Sequence, residues 1–156
     1  MRNPSARRLS AAARARYGLA EHGPAPLLAV LAIVADAGLG AAVHYGALAF
    51  RTHLQFSLVV GAVCLWAGVG AFRRNMDAPK VRRAAMLMLS LTFSEMLLGV
   101  GSYMNLLVAG TLQWFPIGHV VLGVASLLSV VRLAVLVYRR VRTEDAELAH
   151  GGIAIA

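Results

Sequence analysis

Two histidines, His53 and His119, stand at matched positions in two apolar segments of the chain. Each is followed 20 residues later by a pair of arginines, at 73–74 and at 139–140. A haem iron takes axial nitrogens on both faces of a flat macrocycle, and a four-helix bundle can supply them from facing helices. The matched spacing therefore predicts that the pair ligates a haem iron. Either histidine alone fits an interfacial residue with its ring in water.

Small residues follow each histidine on the same helical face. They are Ser57 and Gly61 after His53, and Gly123 and Ser126 after His119. At one to two helical turns from the ligand they would let a porphyrin approach the backbone closely. Gly and Ser also favour plain helix–helix packing in membranes, so both interpretations stay open.

His44 stands at the end of the first apolar segment, near the same surface as the histidine pair. It is predicted at the rim of the haem pocket, where it could contact a propionate or a substrate, or act as a substitute ligand. The matched residue in the third segment is Tyr103, which breaks the symmetry expected of a ligand. The alternative is an interfacial polar residue, and Tyr103 is most simply an interfacial aromatic.

Two acids, Asp36 and Glu95, lie about eleven residues into their apolar segments, roughly 16 Å deep. A bare carboxylate is costly at that depth, so each should face the bundle interior, a partner or water. Arg132 is the available partner, although its long side chain could instead extend toward the surface. The acids therefore form either a buried ion pair that fixes helix register, or a proton relay or headgroup site.

The composition requires a membrane environment. Of 156 residues, 59% are hydrophobic and 14% are charged, which is more apolar side chain than a soluble domain of this length can bury. The net charge is +8, and the basic residues lie between and beside the apolar segments. This placement predicts contact with an anionic cytoplasmic leaflet rather than with nucleic acid. The single cysteine, Cys64, excludes a Cys-x-x-Cys-His attachment, so any haem is held non-covalently.

Four segments are apolar and long enough to cross a bilayer, which takes about 20 residues. The sequence therefore predicts an all-α integral membrane protein, a bundle of four transmembrane helices. The spans are approximately Pro26–Leu48, Leu54–Phe72, Ala84–Val108 and Ile117–Tyr138. Basic residues flank three of the five connections and ends, which predicts that both termini and the loop 75–83 are cytoplasmic in the cell membrane. The apolar run at 26–50 is too long for a cleavable signal, so we expect a retained first helix.

Three regions follow from these spans. Residues 1–25 form a basic cytoplasmic segment, 26–140 a transmembrane haem-binding domain, and 141–156 a short cytoplasmic tail that extends the last helix before becoming disordered.

The bundle is predicted to consist of two helix-pair repeats of parallel topology. The second and fourth spans share the histidine and the arginine pair, and the first and third share an acid followed by glycine, Asp36 with Gly40 and Glu95 with Gly99. Two such units are related by an axis along the membrane normal. That axis puts both histidines at one depth near the outer surface.

The segments EMLLG at 95–99 and HVVLG at 119–123 resemble paired spans of the haem A synthase family of cytochrome oxidase assembly proteins. In that family a polar-x-Leu-Leu-Gly span precedes one that opens with an axial histidine, and each protein has two four-helix halves. The resemblance covers roughly residues 26 to 140, one half. It implies that His53 and His119 are ligands of haem b on the extracytoplasmic side.

The chain departs from the family where catalysis would be expected. The catalytic half of the family has Glu three residues before the histidine of its second helix and paired histidines on its fourth. Phe50 and Pro116 stand at those positions here. The resemblance therefore implies the haem-holding half rather than the oxygenating half, and leaves open whether the chain is an oxidoreductase.

These observations lead to two hypotheses of different class. In the first, the chain is a b-type haem protein of electron transfer, haem handling or oxidase assembly, held in the bilayer as a homodimer or within a respiratory or assembly complex. In the second, it is a small transporter or a non-haem membrane subunit whose functional site is formed by Asp36, Glu95 and Arg132.

Overall fold

The computed structural model describes residues 24–108 and 114–151 as four helices joined by short connections. They are α1 Pro24–His44, α2 Phe50–Arg74, α3 Pro79–Leu107 and α4 Trp114–Gly151. The described part contains no strand, so the predicted all-α class is confirmed. The basic residues of the predicted segment 1–25, the loop at 109–113 and the end of the predicted tail lie outside the described residues.

Each helix is long and apolar enough to cross a membrane. Many large hydrophobic side chains point away from the bundle, among them Leu31, Val59, Leu97 and Val120, each more than half exposed. In water such a surface would be strongly unfavourable, whereas lipid tails solvate it. The chain therefore has the structure of a multi-pass membrane protein.

The helices form a ring in which each one packs against two neighbours, in the order α1, α2, α3, α4 and back to α1. Helices α2 and α4 therefore lie diagonally across the bundle. We call the end that carries His53 and His119 the histidine end, and the end that carries Arg73 and Arg139 the arginine end.

The apolar core occupies only part of this bundle. Its thirteen buried hydrophobic residues in the described ranges run from the middle of the bundle to the arginine end, and include Cys64, Met88, Val130 and Leu133. Toward the histidine end no hydrophobic side chain of the described ranges is fully buried, and polar residues such as His53 and Glu95 share the partly buried positions with apolar ones such as Phe56 and Leu98.

The first helix ends earlier than the sequence predicted, at His44 rather than at Leu48. Gly46 adopts φ +72°, the left-handed conformation that glycine reaches without steric cost. The Gly46 amide donates to the Val43 carbonyl at 3.0 Å and the Ala47 amide to the Ala42 carbonyl at 2.8 Å. This is the Schellman arrangement, which closes a helix by satisfying its last carbonyls.

The remaining boundaries also differ from the predicted spans. Helix α2 begins at Phe50, so His53 lies within its first turn, and α3 begins at Pro79, where the fixed φ of proline suits a first helical position. Asn75 ends α2, and its side-chain amide donates to the Ala71 carbonyl at 2.8 Å. Helix α4 continues to Gly151, so most of the predicted tail is helical.

Candidate functional site

His53 lies in the first α2 turn with its ring against α1. A methyl group at Gly40 would come within 3.3 Å of His53 Cε1 and 3.5 Å of Nε2, which is tighter than most carbon contacts. The Phe50 ring meets the same imidazole edge-on, with centroids 6.3 Å apart. Because Gly40 has no side chain, α1 and α2 can clamp the ring between them.

Asp36 lies one turn below Gly40 on α1, beside the same imidazole. Its Oδ1 is 3.2 Å from His53 Nδ1, although the angle is too poor for a hydrogen bond and Nδ1 is buried without one. Ser57 orients the carboxylate, since its hydroxyl lies 2.8 Å from Oδ1 and 3.1 Å from Oδ2. The same hydroxyl is 2.9 Å from the His53 carbonyl, so its single proton has competing acceptors.

His119 has the same relation to α3. A methyl group at Gly99 would come within 3.3 Å of His119 Cε1 and 3.7 Å of Nδ1, and Nδ1 is again buried without a hydrogen bond. Glu95 lies one turn below Gly99 beside Ser126, but among the described residues its carboxylate forms no ion pair with His119. Its Oε1 would be 2.9 Å from a methyl group at Gly123, so this carboxylate is pressed against the α4 backbone.

The predicted ion pair between Arg132 and an intramembrane acid is not formed. Arg132 is exposed on the outer face of α4, and within the described ranges it takes part in no ion pair. Asp36 and Glu95 instead face histidines and serines inside the bundle. Serine hydroxyls and imidazoles inside the bundle can hydrogen-bond to a buried carboxylate, whereas the guanidinium of an arginine on the lipid-facing surface is too far away.

The small residues that follow each histidine receive side chains from neighbouring helices. Ser57 contacts Asp36, Gly123 faces Glu95, and Gly61 faces Met96, whose Sδ would be 2.9 Å from a methyl group built at Gly61. Ser126 is buried beside Glu95, but no hydrogen bond of good geometry forms from its hydroxyl. These contacts are those of close helix packing, the second of the two interpretations left open by the sequence.

Aromatic side chains close the histidine end. Tyr103 of α3 stacks on Phe50 of α2, with centroids 5.2 Å apart and planes 5° from parallel. Tyr103 is therefore tied to the rim of the site, whereas His44 is exposed and contacts Tyr45 edge-on. Sequence reasoning missed the role of Phe50; its place three residues before His53, one turn away, was the available signal.

The donor set suits a haem better than a bare metal ion. No three His, Cys, Asp or Glu side chains converge on one point in the described part of the chain. A haem needs only two protein nitrogens because the porphyrin supplies the other four ligands. His53 and His119 lie on diagonal helices at the same end, so each could offer one imidazole nitrogen and these two residues fit this group.

No family model, curated protein or solved structure matches this chain.

Proposed function

We propose that this chain is a membrane haem b protein in which His53 and His119 donate the two axial nitrogens. The observation that carries the proposal is the repeated environment of the two rings. Each imidazole packs on a glycine of the preceding helix, with an acid one turn further along that helix. Helices α2 and α4 are diagonal, so His53 and His119 would hold the haem from opposite sides of the bundle.

The distribution of burial supports the same proposal. Buried hydrophobic side chains are confined to the region between the middle of the bundle and the arginine end in the described ranges. In the histidine half, partly buried polar groups and glycines lie among partly buried apolar side chains. Polar groups inside a membrane bundle are costly unless they serve a function, so their concentration beside both histidines marks this half as the site.

The bound haem would supply one-electron redox chemistry. The chain itself would hold the imidazoles against Gly40 and Gly99, and cover the histidine end with the Phe50–Tyr103 stack. His44 is assigned to the rim because it is exposed. Phe50 and Pro116 stand where the haem A synthase family, which the sequence resembles, has catalytic groups. We therefore propose a role in electron transfer, haem handling or oxidase assembly rather than in catalysis of that kind.

We further propose that both termini face the cytoplasm, with the histidine end on the opposite side of the cell membrane. The support is the charge distribution, since the loop between α2 and α3 carries Lys80, Arg82 and Arg83. Reporter fusions should be cytoplasmic at Met1, Pro79 and Gly151, and extracytoplasmic near Thr111. A cytoplasmic reporter at Thr111 would overturn this orientation.

An optical spectrum tests the haem proposal. Full-length protein expressed with ample haem and purified in detergent should show the sharp alpha band of low-spin bis-histidine iron on reduction. His53→Ala and His119→Ala should each convert the signal to high-spin or remove it, because one axial bond is lost. His44→Ala is the matched control and should leave the low-spin signal in place. A colourless wild type, or a low-spin spectrum in both ligand variants, would contradict the proposal.

A proton or cation pathway is the second candidate function. It is favoured by four ionisable groups inside the bundle, the contacting pair Asp36 and His53 and the residues Glu95 and His119 at the matched positions. Arg132 has no part in it, because its side chain lies on the outer face. Haem-free protein in vesicles would then conduct protons or cations down an imposed gradient, and Asp36→Asn or Glu95→Gln would reduce the flux. Haem content together with no flux would exclude it.

A further inference from the structure

The two intramembrane acids are the polar groups best placed to act on the histidines. Asp36 Oδ1 lies 3.2 Å from His53 Nδ1, so a small rotation of the imidazole or carboxylate would complete a hydrogen bond. Ser57 contacts both carboxylate oxygens at 2.8 and 3.1 Å. This holds the carboxylate in place beside the ring.

Glu95 has the corresponding place in the second hairpin. In the described part of the structure its carboxylate lies against the α4 backbone at Gly123 and beside Ser126, which is 1% exposed, and it forms no ion pair with His119. The glutamate side chain is one methylene longer than aspartate, so it can reach from its α3 position to either group. His119 Nδ1 is buried and has no hydrogen bond, and rotation of the Glu95 side chain toward the ring would bring it the acceptor that it lacks.

An axial histidine must present a free lone pair at Nε2, which requires the proton to be on Nδ1. The partner of Nδ1 fixes this tautomer, sets the ring orientation and raises the basicity of the ligand. Neither Nδ1 has another hydrogen-bond partner among the described residues. Without the acids, nothing in the described structure would select the tautomer that leaves Nε2 free.

We infer that Asp36 and Glu95 are positioning residues that accept the Nδ1 protons of His53 and His119 and so direct each Nε2 toward an axial bond. The inference rests on the proposed haem function for the identity of the bound group. The tautomer itself is a property of the haem-free chain. The two acids act independently, one in each hairpin.

The first experiment therefore uses the haem-free, full-length protein. Nitrogen-15 NMR at a mildly alkaline pH, where an ordinary histidine is neutral, distinguishes the two tautomers. His53 and His119 should both carry the proton on Nδ1. Asp36→Ala should shift His53 to a mixture of tautomers and leave His119 unchanged, and Glu95→Ala should do the reverse, so each variant is the control for the other.

Two milder variants probe the same contact in case Asp36→Ala does not fold. Asp36→Asn keeps the shape and a weaker carbonyl acceptor, so the His53 Nδ1 proton should remain but resonate upfield of wild type. Ser57→Ala removes only the group that orients Asp36 and should have a smaller effect of the same sign. Wild-type histidines with the proton on Nε2, or a His53 tautomer unaffected by Asp36→Ala, would overturn the inference.

The second experiment uses the haem-loaded protein and reads the iron. A carboxylate acceptor makes the imidazole a stronger donor and favours the oxidised iron. Asp36→Asn and Glu95→Gln should each shift the midpoint potential upward while the spectrum stays low-spin, whereas an unchanged potential in both variants would overturn the inference. Protein that binds no haem but shows the expected tautomers would instead contradict the proposed function alone.

Discussion

The α1–α2 hairpin and the α3–α4 hairpin have the same ring contact but different acids. In both, the imidazole lies on a glycine that follows an acid by four residues. Asp36 is short, and its carboxylate stays beside the His53 ring and beside Ser57, which lies one turn further along α2. Glu95 is longer and reaches Gly123 and Ser126, up to two turns below His119.

The difference shows which part of the pattern is fixed by geometry. The histidine–glycine contact requires the two helices of a hairpin to approach closely, and a methyl group at either glycine would be 3.3 Å from the ring, so the imidazole would have to shift to admit any side chain. The acid has more freedom, because one added methylene changes which serine it meets without moving the backbone. Whether the hairpins descend from one duplicated unit stays a prediction; their shared contact is a property of the structure.

The largest expected effect comes from filling the glycine positions. Gly40→Val and Gly99→Val should each lower the free energy of unfolding in detergent by about 1–3 kcal/mol, because the new methyl groups overlap the histidine ring. Gly38→Val is the control, since nothing lies within 4 Å of a methyl group there. Equal stabilities of the Gly38 and Gly40 variants would contradict the clamp, and very unequal effects at Gly40 and Gly99 would break the likeness of the hairpins.

The second prediction concerns the Phe50–Tyr103 stack, which joins the two hairpins at the histidine end. A double-mutant cycle with Phe50→Leu and Tyr103→Leu should give a coupling free energy of about 0.5–1.5 kcal/mol, the usual range for an aromatic pair. Phe93 on α3 is 59% exposed, so a cycle of Phe50→Leu with Phe93→Leu should be additive. Equal coupling free energies in the two cycles would contradict a specific Phe50–Tyr103 contact between the hairpins.

The third prediction tests the separation of Arg132 from both acids. Because Arg132 lies on the outer face, the stability changes of Arg132→Leu and Glu95→Gln should add to within about 0.5 kcal/mol. The cycle of Arg132→Leu with Asp36→Asn should be additive in the same way. A coupling well above that limit in either cycle would show that the arginine reaches the bundle interior.

The smallest effect is expected at the arginine end, where Arg140 Nη2 lies 2.6 Å from Asp77 Oδ2. The hydrogen bond from Arg140 lowers the pKa of the Asp77 carboxyl below its ordinary value. Because the pKa of Asp77 is lower in the folded protein than in the unfolded chain, ionised Asp77 stabilises the fold at pH values above its unfolded-state pKa. This stabilisation disappears as the pH falls through the folded-state pKa. Asp77→Asn should therefore lower the unfolding temperature slightly at neutral pH and not in strong acid. A difference that persists in acid would have another cause.

The sequence predicts the fold well because the signal is strong and local. Four apolar segments of sufficient length leave few alternatives to four membrane helices. The end of α1 was misplaced because residues 45–48 are apolar enough to continue the span, whereas the backbone of Gly46 determines the turn. Hydropathy does not register that conformational freedom.

The candidate site was predicted only in part. Sequence spacing selected both histidines and both acids as candidates, but offered Arg132 as the partner of the acids because opposite charges in lipid are expected to pair. The face on which Arg132 lies depends on how α4 rotates against α1 and α3, which the sequence alone does not specify. The contacts of Ser57 with Asp36 and of Phe50 with Tyr103 join different helices and were missed for the same reason.

The turn at Gly46 has a consequence for the handedness of the chain. Its φ of +72° is the mirror image of the helical region that ordinary residues prefer, and a methyl group built there meets no neighbour within 4 Å. Whether an L- or a D-residue is favoured at position 46 therefore depends on its backbone conformation and not on side-chain contacts. An L-alanine at 46 would be strained, whereas a D-alanine introduced by chemical synthesis would match the turn and restrict the unfolded chain, so inverting one stereocentre should strengthen the end of α1.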